Sequence, residues 1–172
     1  DLLFRNDGNG ADGTPKFTDV TEKAGLRGRG DGLSATWWDY NDDGWPDLYV
    51  ANDFLSPDRL WKNNGDGTFT DVLPQAAPHT CWFSMGADQG DLNNDLLPDI
   101  LIADMAATTH YKSKTTMGAM GGDDLKRAVG GSPPQYMRNT CLIGTGTGRF
   151  VESAYLLGIA STDWTWSVKF AD

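Results

Sequence analysis

Asp39-Tyr-Asn-Asp-Asp-Gly-Trp-Pro-Asp47-Leu-Tyr-Val-Ala51 returns 52 residues later as Asp91-Leu-Asn-Asn-Asp-Leu-Leu-Pro-Asp99-Ile-Leu-Ile-Ala103. In both copies a run of acidic and amide residues ends in Pro-Asp and feeds a short apolar stretch, the pattern of a tight loop entering a buried strand. Self-similarity at a fixed interval marks a repeat architecture, and it takes precedence over any element-by-element reading.

A second block accompanies the first. Asp58-Arg-Leu-Trp-Lys-Asn-Asn-Gly-Asp-Gly-Thr-Phe69-Thr-Asp-Val72 is preceded by Asp1-Leu-Leu-Phe-Arg-Asn-Asp-Gly8, which reaches Phe17-Thr-Asp-Val20 after a short insertion. A weaker copy runs from Asn139 through Gly146-Thr-Gly-Arg-Phe150-Val-Glu152. Phe17, Phe69 and Phe150 are 52 and 81 residues apart, so one repeat holds an insertion, between Met105 and Met137. Within a unit, residues 34–38 and 48–51 read as strands around the acidic loop. Residues 60–62 and 68–72 read as a hairpin around Asn-Asn-Gly-Asp-Gly.

Four short antiparallel strands recurring at this interval predict an all-β fold, a β-propeller segment of four-stranded blades amounting to about three blades' worth. The expected division is one partial propeller over 1–172. Residues 1–32 form the outer hairpin of a blade, 33–73 a blade, 82–153 a blade with the insertion 105–137, and 162–172 the first strand of a further blade. Isolated blades expose sheet faces and edges, so the expectation is a piece of a larger propeller. The alternative is a chain whose neighbours add the missing strands.

The composition agrees with many turns. Of 24 acidic residues only Glu22 and Glu152 are glutamates, and aspartate favours turns, caps and metal loops over helix surfaces. A net charge of −10 argues against a nucleic-acid partner. No apolar run approaches the roughly 18 residues that cross a bilayer, and the first residues lack the pattern of a signal peptide. Cys81 and Cys141 fit one disulfide or two buried thiols and make no zinc site.

In the first acidic loop, side-chain oxygens fall at alternate positions, Asp39, Asn41, Asp43 and Asp47, with a backbone carbonyl near Trp45 adding another. The second loop offers Asp91, Asn93, Asp95 and Asp99, with Leu97 in the place of Trp45, and Asp172 is the first residue of a third. Hard oxygen donors without His or Cys suit Ca²⁺, and a flexible loop favours Ca²⁺ over Mg²⁺. An EF-hand is excluded, because its twelfth position would need a glutamate and holds Val50 or Ile102. The competing reading is that these aspartates only form solvated turns. Leu96 stands where the first loop has Gly44, a position expected to need positive φ, so the second site is expected to be weaker. Asp88 is a possible substitute ligand or a plain strand-end residue.

The pattern Asp-x-Asn-x-Asp-Gly-x-x-Asp-Leu-Tyr-Val, followed by Arg-Leu-Trp-Lys-Asn-Asn-Gly-Asp-Gly-Thr-Phe, resembles FG-GAP-like or VCBS repeats. Residues 105–120, with His110-Tyr111-Lys112 and Met117-Gly-Ala-Met120, together with Gln135-Tyr-Met-Arg-Asn139 and Thr162-Asp-Trp-Thr-Trp-Ser167, resemble the cartilage acidic protein group, the ASPIC/UnbV-like proteins. The resemblance implies a secreted or cell-surface propeller, integrin-α-like in architecture, with Ca²⁺ in the loop between the first two strands of a blade. Gly144-Thr145-Gly146-Thr147 departs from the Asn-rich hairpin.

Other motifs weigh less. Arg29-Gly30-Asp31 spells an integrin-recognition tripeptide that chance readily produces in a Gly- and Asp-rich chain. His79 and His110 sit in no nucleophile motif. Trp37, Trp38, Trp61, Trp82, Trp164 and Trp166 suit packing between blades or stacking on sugars. The expected role is non-catalytic: a calcium-binding extracellular module for adhesion, binding or assembly, with a protein or glycan partner at the cell surface or self-association through open blade edges. The alternatives are a carbohydrate-binding module or a non-catalytic part of a polysaccharide-acting enzyme.

Overall fold

A computed structural model describes every residue except Arg29, Met117, Ala119, Met120 and Asp172. The chain begins with a hairpin of β1 (Phe4–Asn9) and β2 (Pro15–Asp19). It continues into a sheet of β3 (Gly32–Trp38), β4 (Asp47–Asn52), β5 (Arg59–Asn63) and β6 (Phe69–Asp71), laid side by side in chain order and antiparallel throughout. After the short α1 (Leu73–Ala76) and β7 (Thr80–Cys81), the pattern repeats. β8 (Gly86–Gly90), β9 (Asp99–Ala103), β11 (Thr140–Gly144) and β12 (Phe150–Glu152) form the second four-stranded antiparallel sheet.

These are two meander blades of a β-propeller, preceded by a separate two-stranded hairpin. The insertion leaves the second blade between β9 and β11. It carries α2 (His110–Thr115), α3 (Gly122–Gly130) and β10 (Gln135–Tyr136), and β10 returns to pair parallel with β7. Residues 162–171 run without a ladder partner beside β8: the Phe170 N–H donates to Asp88 Oδ2 at 2.9 Å, and its ring lies against Gly90.

Alternation along the strands explains how the blades stack. In β4, Tyr49 and Ala51 face the second blade while Leu48 and Val50 face away; in β9 and β11, Ile100, Ile102 and Leu142 face the first blade while Leu101, Cys141 and Ile143 face away. Middle strands are therefore apolar on both faces and read as continuous runs. The shared layer between the blades also holds Trp38, Tyr40, Leu60, Leu73 and Phe150. The innermost strands meet through Thr36, whose hydroxyl donates to the Ala87 carbonyl at 3.0 Å. On the far side of the first blade, Leu3, Ala24 and Leu26 cover Leu48, Val50 and Trp61.

Cys81 and Cys141 are free thiols, one in the layer between the blades and the other on the far face of the second sheet. Of the tryptophans, Trp38, Trp61 and Trp82 are buried, while Trp37, Trp164 and Trp166 are substantially exposed. Truncating Leu142, which has no exposed surface, removes a side chain from the centre of the shared layer. Leu142→Ala is expected to lower unfolding free energy by about 3 kcal/mol, read from urea denaturation.

Candidate metal-binding loops

Each acidic loop joins the first strand of a blade to the second and folds by the same internal bonds. Asp39 accepts from the N–H groups of Asp43 (3.1 Å) and Gly44 (2.7 Å). Asn41 accepts from the Asp43 N–H at 3.3 Å and donates its amide to Asp43 Oδ2 at 3.0 Å. Asp43 Oδ1 accepts from the Trp45 N–H at 3.0 Å. In the second loop Asp91 accepts from Asp95 (3.1 Å) and Leu96 (2.9 Å), Asn93 donates to Asp95 (2.9 Å), and Asp95 accepts from Leu97 (2.8 Å). Short polar side chains folding back on the backbone are what turns the chain this tightly.

The last aspartate of each loop has a different task. Asp47 and Asp99 are fully buried at the start of the second strand. Asp47 Oδ2 accepts from the Tyr40 N–H at 3.2 Å and Oδ1 from the Asn63 N–H at 2.7 Å, tying the loop to the next hairpin. Asp99 makes the matching pair with Leu92 and Gly144, both at 2.8 Å. Asn63 and Gly144 are therefore equivalent, and Gly144-Thr145-Gly146-Thr147 occupies the place of Asn63-Asn64-Gly65-Asp66. Trp45 and Leu97 lie over those turns, against Gly65 and Gly146 respectively.

Backbone conformation repeats too. Asp42 and Asn94 have φ of 57° and 58°, Gly44 has 84°, and Leu96 adopts 68°. Leu96 thus takes the left-handed conformation expected of its position, and it does so 91% exposed, with no packing to offset the strain. Asp88 receives the Phe170 N–H and lies 3.4 Å from Lys169 Nζ, so it anchors the segment after the second blade, a strand-end role. Asp172 and Arg29 lie outside the described residues.

Among the described residues, no three His, Cys, Asp or Glu side chains are gathered as a ready metal cage. The carboxylates of Asp39, Asp43, Asp91 and Asp95 turn onto backbone N–H groups of their own loops. Electrostatics still mark the site. Burial, reinforced by the Asp43 and Asp39 charges, pushes the Asp47 carboxyl up to about 6 against the pull of its two N–H donors. Asp99 is raised by burial and by the Asp95 and Asp91 charges in the same way. Asp43 is lowered: its desolvation is outweighed by the Asn41 amide, the Trp45 N–H and Lys62, whose Nζ lies 3.2 Å away. Asp39, Asn41, Asp43 and Asp47, and their counterparts in the second loop, are hard oxygen donors that a divalent cation would draw together.

At the opposite end of the blades sit two buried carboxyls that sequence reasoning did not single out. Asp58 accepts from the Tyr49 hydroxyl (2.6 Å) and the Asn52 N–H (2.9 Å). Asp104 accepts from the Trp82 and Phe83 N–H groups, at 2.9 and 3.0 Å. The signal for them was positional: the Asn52–Asp58 pair of the first blade reappears with its partners exchanged as Asp104–Asn139, where Asn139 accepts the Asp104 N–H. His79 is buried and accepts from Arg138 Nη2 at 2.7 Å, and His110 opens α2 on the surface.

Desolvation raises Asp58 to about 6 and Asp104 to about 7. Both values exceed the roughly 3.9 of an unfolded aspartate, so the folded state holds these protons more tightly. That stabilisation is complete below the unfolded value and is lost as pH rises through the folded ones. In chelator, the urea midpoint is expected to fall between pH 5 and pH 8, and Asp104→Asn is expected to flatten the upper part of that decline. Leu96→Gly relieves the strained loop and is expected to raise stability by about 1 kcal/mol in the same measurement.

No helix among the described residues is long and apolar enough to cross a membrane. A comparison with curated proteins found no match. Residues 39–102, from the first aspartate of one acidic loop into the strand that follows the other, match the family model of the FG-GAP-like repeat. The segment carrying both acidic loops is accordingly similar to an FG-GAP-like repeat, in a chain built as a β-propeller-like module.

Proposed function

We propose that this is a calcium-stabilised propeller module of the cell exterior whose work is binding, adhesion or assembly, with no catalytic residue assigned. The observation that carries the reading is the bond-for-bond repetition of two loops, each presenting Asp, Asn, Asp and Asp at its first, third, fifth and ninth positions, the last of them buried and raised by desolvation and, further, by its neighbours' charges. A Ca²⁺ ion would offset that repulsion, taking Asp39, Asn41, Asp43 and Asp47 in the first loop and Asp91, Asn93, Asp95 and Asp99 in the second. The backbone carbonyls of Trp45 and Leu97 would add further oxygens. Lys62 holds the place of a counter-charge beside Asp43 and would be released.

The likeness of residues 105–120 and 162–167 to the cartilage acidic protein group supports an exterior location, where millimolar calcium fills even weak sites. A protein or glycan at the cell surface, or a second copy meeting the open blade faces, is the partner class this reading implies. The test is thermal unfolding in calcium and in EDTA. At a hundredfold excess over Kd, calcium is expected to add about 2.7 kcal/mol per site, several degrees in Tm. Asp43→Asn keeps the oxygen that caps Trp45 and is expected to remove most of the first site's response. An unchanged Tm in EDTA would reject the reading.

A further inference from the structure

An open cleft of about 570 Å³ lies between the first acidic loop and the second blade's Gly146-Thr147-Gly148 turn, floored by α1. Tyr40 forms part of its wall. Its ring is held in the shared layer against Phe150, centroids 5.9 Å apart, and against Trp38 at 6.3 Å, leaving the residue 8% exposed. None of the hydrogen bonds among the described residues uses its hydroxyl, which faces Gly148: a Cβ there would stand 3.9 Å from the phenolic oxygen. A phenol fixed by packing, with its polar end unpartnered and turned into a cleft, is a hydrogen-bonding group waiting for a ligand.

The rest of the lining defines the ligand's chemistry. Asp43 and Lys62 contribute one charge of each sign and stand 3.2 Å apart, so they neutralise one another. Gln75 of α1 adds an amide, and Thr147 of the turn adds a hydroxyl whose proton goes to Thr145 Oγ1 at 2.7 Å, because Thr145 donates its own to the Arg149 carbonyl; Thr147 therefore offers the ligand an acceptor. A lining that mixes apolar surface from Val72 and Ala76 with hydrogen-bonding donors and acceptors, its two charges paired with one another in the ion-free protein, suits a neutral molecule carrying several hydroxyls, not an anion or a cationic peptide. Its volume falls within the range of about 300–1,000 Å³ usual for small-molecule clefts. The second loop has Leu92 where the first has Tyr40, so the hydroxyl belongs to this cleft alone.

We propose that the cleft between the first acidic loop and the Gly146–Gly148 turn binds a neutral saccharide, with the Tyr40 hydroxyl, Gln75 and Thr147 as its hydrogen-bonding groups. The inference rests on the binding-module reading and on the ion-free arrangement in which Lys62 pairs with Asp43; calcium at Asp43 would leave Lys62 free beside the cleft. The test is amide chemical-shift titration of the full chain with methyl α-D-mannopyranoside, methyl β-D-galactopyranoside, maltose and cellobiose at millimolar concentrations, in calcium and in EDTA. At least one sugar is expected to shift the amides of residues 40–43 and 146–148. Tyr40→Phe retains the ring contacts and is expected to weaken that binding roughly three- to tenfold, the loss of one hydrogen bond, with Tm unchanged. Failure of all four sugars to shift these amides, equal affinity in Tyr40→Phe and Gln75→Ala, or shifts centred on Trp37, Trp164 or Trp166 would overturn it. A calcium-dependent Tm without sugar binding removes this inference alone, whereas sugar binding in a protein indifferent to EDTA removes only the calcium reading.

Discussion

The structure depends on one buried carboxylate per blade. Asp47 and Asp99 each join three pieces of chain: the exit of the first strand, the start of the second seven residues on, and the more distant turn of the hairpin beyond. Without that clamp the loop would have no fixed position over its own sheet, and the hairpin amides of Asn63 and Gly144 would lack an acceptor. Their burial is costly for a charge, and the structure meets the cost with two N–H donors apiece. The more exposed aspartates of the loop are free for other partners because these two are not.

The far end of each blade uses the same device in reverse. Where the first blade closes its second strand with Asn52 and has Asp58 before its third, the second blade has Asp104 just after its second strand and Asn139 before its third. The exchange lets Asp104 take the Trp82 and Phe83 amides as well, drawing the linker between the blades under the insertion. Phe54, Trp82 and Phe83 stack there with ring planes within 19° of parallel, and Ala128 of α3 closes over the group. The insertion is thus seated on the blade junction through α3, and α2 is tied to the segment beyond the second blade by Lys112 and Asp163.

Much of this was legible in the sequence because the repeat places equivalent residues in register. The order of strands, the alternate spacing of loop oxygens and the left-handed conformation of Leu96 all follow from aligning residues 39–51 with 91–103. Other parts gave little signal. Helix α3 begins and ends in glycines, and its strong helix formers are confined to the four residues Leu125-Lys-Arg-Ala128, too short a run to stand out. The pairing of β7 with β10 is two residues long and joins segments more than fifty residues apart. Asp58 and Asp104 were hidden among 22 aspartates, since burial is a tertiary property that residue type does not announce. Residues 162–171 share the pattern of β3 yet form no ladder, because a strand is defined by its neighbour as much as by its own residues.

The separation of the two cysteines has its own consequence. Cys81 sits between the blades, its thiol pushed well above the usual range by burial, and Cys141 lies on the outer side of the second sheet with its thiol raised to about 11. Neither is reactive while its surroundings stay closed, because the thiolate is the nucleophile and both sites disfavour it. The chain therefore contains two silent alkylation reporters. One is unmasked only when the blades part, the other only when the cover of Ala154, Ile159 and Ala160 lifts, so the order in which they become modifiable records which seam of the molecule opens first.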